Sequence, residues 1–408
     1  MKICMIVRAL PAHRLGGLEY HTRDLVCALA ARGHEVTVVT TPPPPGGAPV
    51  GADLAPGVEV AVVAGAPSAD YSLSFWRALE PLVSRLHSSK RFDIVHAQEF
   101  AGLFLRPRGA ALVCTVHGTM FTEVPLDRRY WRRLGTGDRL RTVWRYKARL
   151  ALHPFFRVML RRADRLLVDS QFTFRELARM DGALRPRMGI VPLGVDPARY
   201  PFAGIARSPR HPAAPPVIAL LGRLQEMKGA GMAVEAARLL RSRGVRFRME
   251  IGGSGPFAAP LQQRIDAAGL AGEVILRGRI APDATSEFLA AADLFLFPDL
   301  TQPAFGLVAV EAMLHGLPVV AARCGALPET VTPETGWLYD PWKPVELADV
   351  LEQALADRAG LAARAAAARH RAAGFTAAAM AEQTEAQYEK VLGRLSRDAR
   401  EETNPDPA

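Results

Sequence analysis

The sequence predicts an α/β protein made of two doubly wound, Rossmann-like domains facing a cleft. Three observations predict it. Short, mostly apolar runs recur in both halves: KICMIV, EVTVVT and ALVCTV early, VIALLG, LFLF and PVVAA late. Such runs suit parallel strands covered on both faces. Each is followed by a glycine- or proline-marked turn and a stretch of helical period. A Pro-rich segment, AGIARSPRHPAAPP, splits the alternation in two.

The first half opens with a strand at Lys2 to Val7 and a tight turn at Gly16 and Gly17. A helix over Leu18 to Ala31 follows, with Leu18, Leu25, Val26 and Leu29 at helical spacing, and then the strand Glu35 to Thr40. This is a βαβ unit. A glycine pair lets backbone approach a diphosphate closely, although a tight turn in any α/β protein reads the same way. Thr41 to Gly57 is a surface loop, and Trp76 to His87 a helix. FDIVHAQEF then sets His96, Gln98 and Glu99 near a strand's carboxyl end, and ALVCTVHGT does the same for His117. Ligands collect at that edge of open α/β sheets; each histidine could also simply cap its strand.

Between Asp127 and Arg165 the chain carries thirteen Lys/Arg against three Asp, an excess equal to the net +10 of the whole. Tyr130, Trp131, Trp144, Tyr146, Phe155 and Phe156 are interleaved with these charges, and much of the stretch after Gly137 reads as helix. Two readings stay open: a solvated basic face, or a surface for anionic lipid with aromatics at headgroup level. No nucleic acid partner is expected, because no reading-head motif accompanies the charge. Ser170 is expected to cap a helix. The expected division is a first domain over 1–200, a linker over 201–216 and a second domain over 217–374. A closing helix over 375–395 completes the first domain, and 396–408 form a disordered tail.

In the second half Arg223 falls at the carboxyl end of the strand VIALLG and Lys228 at the start of the next helix. Two cations so placed can grip a diphosphate and stabilise the charge that develops as it leaves. RFRMEIGGSGP repeats the strand and glycine turn. The central stretch is DLFLFPDLTQPAFGLVAVEAMLHGLPVVAA, Asp293 to Ala322: strand, Pro-containing loop, helix from near Gly306, strand. The helix N-terminus offers free amides to a sugar hydroxyl or phosphate. Glu311, among Val310, Ala312 and Met313, needs a partner; the hydroxyls of a ribose or a nearby Arg would each serve.

With 408 residues, nearly half hydrophobic, the chain can bury two sizeable cores. The apolar run in MKICMIVRAL is too short for a signal peptide, and no stretch approaches the ~20 apolar residues of a membrane span. Cys4, Cys27, Cys114 and Cys324 are scattered and fit reduced thiols. The expectation is a cytoplasmic protein, peripheral on the inner membrane face if the basic stretch binds lipid. No cofactor and no metal are expected: no Asp/Glu/His cluster has ligand spacing, and Arg223 with Lys228 can replace a metal.

Five segments, GG-x-E at Gly16, TVHG at His117, GRLxxxKG from Gly222 to Gly229, GGSGP, and FGLVAVEAM, resemble glycosyltransferase family 4, retaining enzymes of the GT-B fold. The resemblance runs from Met1 to about Leu392. It implies a nucleotide-sugar donor whose diphosphate meets Gly16, Gly17, Arg223 and Lys228. It places the base near Arg279 and Ile280, the ribose on Glu311, the sugar on the backbone of Gly306, Leu307 and Val308, and His117 beside the anomeric carbon. His117, Arg223 and Lys228 are thus the expected catalytic residues, and a glycan or lipid-linked hydroxyl the expected acceptor. One departure stands out. The family pattern has a Glu two residues before the Phe, and here that position is Pro303; Gln302 or Asp299 could substitute. A GT-B sugar-nucleotide epimerase or hydrolase, or a non-catalytic membrane-associated binding partner, remains an alternative.

Overall fold

The computed structural model describes residues 1–14, 16–119, 136–203 and 214–403, with side chains throughout except at 136–142, 145, 146, 148, 149 and 398–403. Residues 127–135 of the basic stretch, 204–213 of the expected linker and 404–408 of the expected tail lie outside the described residues. The chain divides into two compact units: Met1–Met120 with Arg145–Val195 and Ala377–Ala408, and Phe121–Trp144 with Asp196–Thr376.

The first unit's elements run β1 (Lys2–Ile6), α1 (Gly17–Ala31), β2 (Glu35–Thr40), β3 (Glu59–Val62), α2 (Leu73–Lys90), β4 (Ile94–Gln98), β5 (Ala111–Val116), the part of α3 (Thr136–Arg162) from Arg145 on, β6 (Arg165–Val168), α4 (Gln171–Met180) and β7 (Met188–Ile190). They form one seven-stranded sheet, β3-β2-β1-β4-β5-β6-β7, with every pairing parallel. β4 and β5 are buried at every position, as strands covered on both faces must be. The chain winds from β1 out to β3, then returns to the other side of β1 with β4. The connections after β1 and β4 therefore part, which opens a crevice at their carboxyl ends. Ser170 caps α4 by accepting from the Thr173 amide.

The second unit runs β8 (Val217–Leu221), α5 (Ala230–Ser242), β9 (Arg248–Gly252), α6 (Ala258–Ala267), β10 (Val274–Gly278), α7 (Thr285–Ala290), β11 (Leu294–Phe297), α8 (Leu307–Leu314), β12 (Val319–Ala322), α9 (Leu327–Thr330), β13 (Gly336–Tyr339), α10 (Pro344–Ala356) and α11 (Arg358–Ala372). Its parallel sheet is ordered β10-β9-β8-β11-β12-β13, so the winding reverses between β8 and β11. The Ala-rich end of this unit forms two helices, α10 and α11. Asp357 breaks it, and its carboxylate accepts from the Gly360 amide as the cap of α11.

The last helix, α12 (Ala377–Thr403), belongs to the first unit. Its Met380, Tyr388 and Val391 share one core with Ile3, Leu25, Val36, Ile94 and Val113. It runs on past Ser396, where a disordered tail was expected. RLSRDAREET is rich in good helix formers, and no proline interrupts it before Pro405.

Candidate functional site

In the second unit the carboxyl ends of β8, β10 and β11 gather the residues expected to hold a donor. Arg223 leaves β8 exposed. Lys228 ends a short turn, Glu226–Lys228, and its Nζ donates to Asp299 across 2.7 Å. Asp299 is wholly buried, and also accepts from the Thr301 amide (2.8 Å) and hydroxyl (2.6 Å). The glycine after Lys228 has a steric reason. Gly229 sits at φ 76°, and a Cβ there would fall on the Pro298 carbonyl oxygen. Glycine thus lets the Lys228 turn press against the loop that carries Asp299.

That loop, residues 298–306, is clamped from several sides. Gln302 Oε1 accepts from the Gly325 amide (2.6 Å), the Pro303 carbonyl accepts from the Ala326 amide (2.8 Å), and the Thr330 hydroxyl donates to the Phe305 carbonyl (3.0 Å). The loop ends at Gly306, φ 101°, where a Cβ would lie 2.7 Å from Leu327 and 3.0 Å from Phe297. Among the described residues no side chain caps the helix that follows, and a helix N-terminus without such a cap offers its first amides to a ligand. Glu311 lies a turn further on, half-buried, with His315 Nδ1 hydrogen-bonded to its carbonyl at 2.7 Å. Neither substitute for the missing Glu is at liberty. Asp299 is turned inward onto Lys228 and Thr301, and the Gln302 carbonyl oxygen is committed to Gly325. Past β10, Arg279 is exposed, while Ile280 lies over Gly252 beside Leu221 and Phe288.

The first unit carries His117, Gly16 and Gly17. His117 leaves β5 with Nδ1 at 2.9 Å from Asp169 and Nε2 at 2.9 Å from Gln98 Oε1. Oxygen acceptors on both ring nitrogens are satisfied together by the imidazolium. Burial opposes that charge, but the Asp169 carboxylate, with Glu99 and Glu19 behind it, outweighs burial and raises the His117 pKa. His21 meets the His117 ring edge-on at 4.8 Å. Burial first, and then the charge of His117, hold His21 neutral. His96 is structural: its nitrogens bond the Tyr388 and Thr115 hydroxyls, each at 2.6 Å, and burial pushes its pKa down to about 3. At the glycine turn, the bare Gly16 leaves room for the Glu19 carboxylate, which Arg14 grips at 2.6 Å. Among the described residues no group of three or more His, Cys, Asp or Glu is placed to hold a metal.

Sequence reading missed Asp169 and Asp299 as partners of the two expected catalytic groups. A signal for Asp169 existed: it ends the run RLLVD as His117 ends ALVCTVH. None pointed from Lys228 to Asp299.

Comparison with known proteins decides the family. The profile described as Glycosyltransferase Family 4 matches residues 15–199, and Glycosyl transferases group 1 matches 204–371. A D-inositol 3-phosphate glycosyltransferase of Acidothermus cellulolyticus is 30% identical over 372 residues, 83% of this chain and 78% of that protein. This chain belongs to glycosyltransferase family 4. A further relative of the same name, from Nocardia farcinica, is 34% identical over 242 residues, 56% of this chain and 53% of its own length. Among solved structures, sucrose-phosphate synthase from Thermosynechococcus elongatus has a TM-score of 0.77 at 21% identity, covering 96% of this chain and 99% of that one. HepE of Anabaena with UDP-glucose has a TM-score of 0.67 at 20% identity, covering 97% and 100%. The family 4 enzyme described here is a glycosyltransferase with the two-domain GT-B fold.

Proposed function

We propose that this enzyme moves a hexosyl group from a nucleoside diphosphate sugar to an acceptor hydroxyl, with retention at the anomeric carbon and without a metal. The observation that carries the reading is the setting of Arg223 and Lys228 at the β8/β11 winding reversal, beside the uncapped N-terminus of α8. The cations would bind the diphosphate, the amides of Leu307 and Val308 the sugar, Glu311 the ribose, and the backbone near Arg279 and Ile280 the base. Gly16 and Gly17 would admit the diphosphate from their own unit, and His117 would meet the reacting sugar. In the reaction the bond from the anomeric carbon to the phosphate oxygen breaks, and the acceptor oxygen bonds that carbon. The acceptor proton passes to the departing phosphate on the same face. The names of the relatives support a nucleotide-sugar donor and a polyol or glycan acceptor.

The test is a thermal-shift panel of UDP-, GDP- and ADP-sugars on wild type and Arg223→Ala, in chelator. A ligand at about 100 times its dissociation constant adds roughly 2.7 kcal/mol. A shift with one donor, lost in the variant, is expected. No shift with any donor would favour a non-catalytic binding partner, and donor turnover that requires Mg²⁺ or Mn²⁺ would end the metal-free reading.

A lipid-linked acceptor at the inner membrane face is favoured by one feature. Trp144, Leu150, Leu152, Phe155 and Val158 of α3 are exposed, in a helix that also presents Lys147 to solvent. Part of the basic charge is spent internally, since Arg157 and Arg161 both reach Asp181. No helix among the described residues is long and apolar enough to cross a membrane. The protein is expected to pellet with anionic vesicles and not with neutral ones; failure with both removes the idea.

A further inference from the structure

We infer that Arg8 and Glu99 form a reader of the acceptor's hydroxyl, and that they select a neutral sugar or polyol over a phosphomonoester. The inference rests on the transferase reading above. Both residues stand at the first unit's winding reversal: Arg8 just past β1, Glu99 directly after β4. Ligands bind at that crevice in open α/β sheets.

Glu99 is one of three non-glycine residues at positive φ among those described, at 49°. Such strain persists where the surroundings impose it, and it gathers at ligand sites. Arg8 is held in turn by its guanidinium, 5.1 Å over the Tyr71 ring, and the Tyr71 hydroxyl donates to the Gln98 carbonyl at 2.9 Å. Yet these two fixed charges do not consume one another. Their nearest atoms are 3.7 Å apart, beyond a direct hydrogen bond, and the side chains are 24% and 27% exposed. The Arg8 Nε is buried with no hydrogen-bond partner among the described residues. The neighbouring pair behaves differently: Arg14 closes on Glu19 at 2.6 Å.

A hydroxyl fits the Arg8–Glu99 gap in both senses, donating its proton to the carboxylate while its oxygen accepts from the guanidinium. A phosphomonoester matches Arg8 alone and meets the Glu99 charge. The residue before Glu99 is Gln98, which holds His117 Nε2 at 2.9 Å, so a hydroxyl read here lies next to the expected reacting centre.

The test uses the full chain with the nucleotide sugar found in the thermal-shift panel. Acceptor probes are myo-inositol, methyl α-D-glucopyranoside and methyl α-D-mannopyranoside, with myo-inositol 3-phosphate and glucoside 6-phosphate as charged counterparts. Nucleotide release is followed. Wild type is expected to favour neutral probes by at least about tenfold in kcat/KM. Glu99→Gln is expected to raise KM for the neutral probe about tenfold with kcat within about threefold, and to keep the wild-type donor shift. Preference for the phosphorylated probes, an unchanged KM in the variant, or failure of every neutral probe with a donor-binding wild type overturns the inference. A wild type that binds no donor fails the transferase reading instead, and this inference with it.

Discussion

Lys228 and Asp299 lie 71 residues apart in sequence and 2.7 Å apart in space, with the carboxylate wholly buried and the ammonium partly exposed. The cation assigned to the diphosphate is therefore partly neutralised before any ligand arrives. Asp299→Asn keeps acceptors for the Thr301 amide and hydroxyl but removes the charge. The nucleoside diphosphate that the wild type binds should then bind several-fold more tightly by calorimetry, while turnover falls as product leaves more slowly.

Among the described residues no carboxylate pairs with Arg223 as Asp299 pairs with Lys228. If its contact with the diphosphate strengthens as the sugar departs, Arg223→Ala lowers kcat by roughly 100-fold. Steady-state rates at saturating donor check this, and unchanged turnover removes the residue from the chemistry.

The His117–Asp169 pair sets a pH dependence. The His117 pKa lies above its ordinary 6.5. What the pair adds to stability and function is present below the unfolded value and is lost as pH rises through the folded one. In Asp169→Asn burial is left without its main opponent, so the alkaline limb of the rate profile should move to lower pH.

His96 acts at the other end of the scale. Its folded pKa of about 3, against 6.5 unfolded, means that the unfolded chain binds a proton the folded chain refuses. Between those values stability falls by about 1.4 kcal/mol for each unit of acidification. His21 works in the same direction. In denaturant titrations across this range, His96→Gln should lower the slope of stability against pH by about one proton.

Gly229→Ala places a methyl group on the Pro298 carbonyl at a positive φ. The Lys228 turn and the Asp299 loop must separate, at a cost of roughly 3 kcal/mol. A fall in the denaturant midpoint, with weaker donor binding, is the expected result.

Much of the second unit could be read before it was seen. β11, α8 and β12 stand where the apolar runs and the punctuation of Pro298, Pro303 and Gly306 set them, because buried parallel strands and helix starts carry local signals. His117 was legible from its place at a strand's end. Its partner was not. Asp169 is 52 residues away and reaches His117 only because β5 and β6 pair side by side. Asp299 meets Lys228 through the pairing of β8 with β11. Strand order is not written in any local window, so ion pairs across it appear only with the sheet. The extent of α12 was misjudged for another reason: charge at a chain's end suggested disorder, while the same residues are good helix formers.

The helix α12 also has a consequence for biosynthesis. It fills the core that Ile3, Leu25 and Ile94 begin. A ribosome making this protein emits the apolar faces of β1 and α1 well before their covering helix, with the second unit's sequence in between. That second unit can fold as it emerges, but the first must hold its apolar surface open until the helix from Ala377 has been translated. Fragments ending before Ala377 should accumulate on chaperones or aggregate, and a separately expressed first unit should become soluble only when the closing helix is supplied to it.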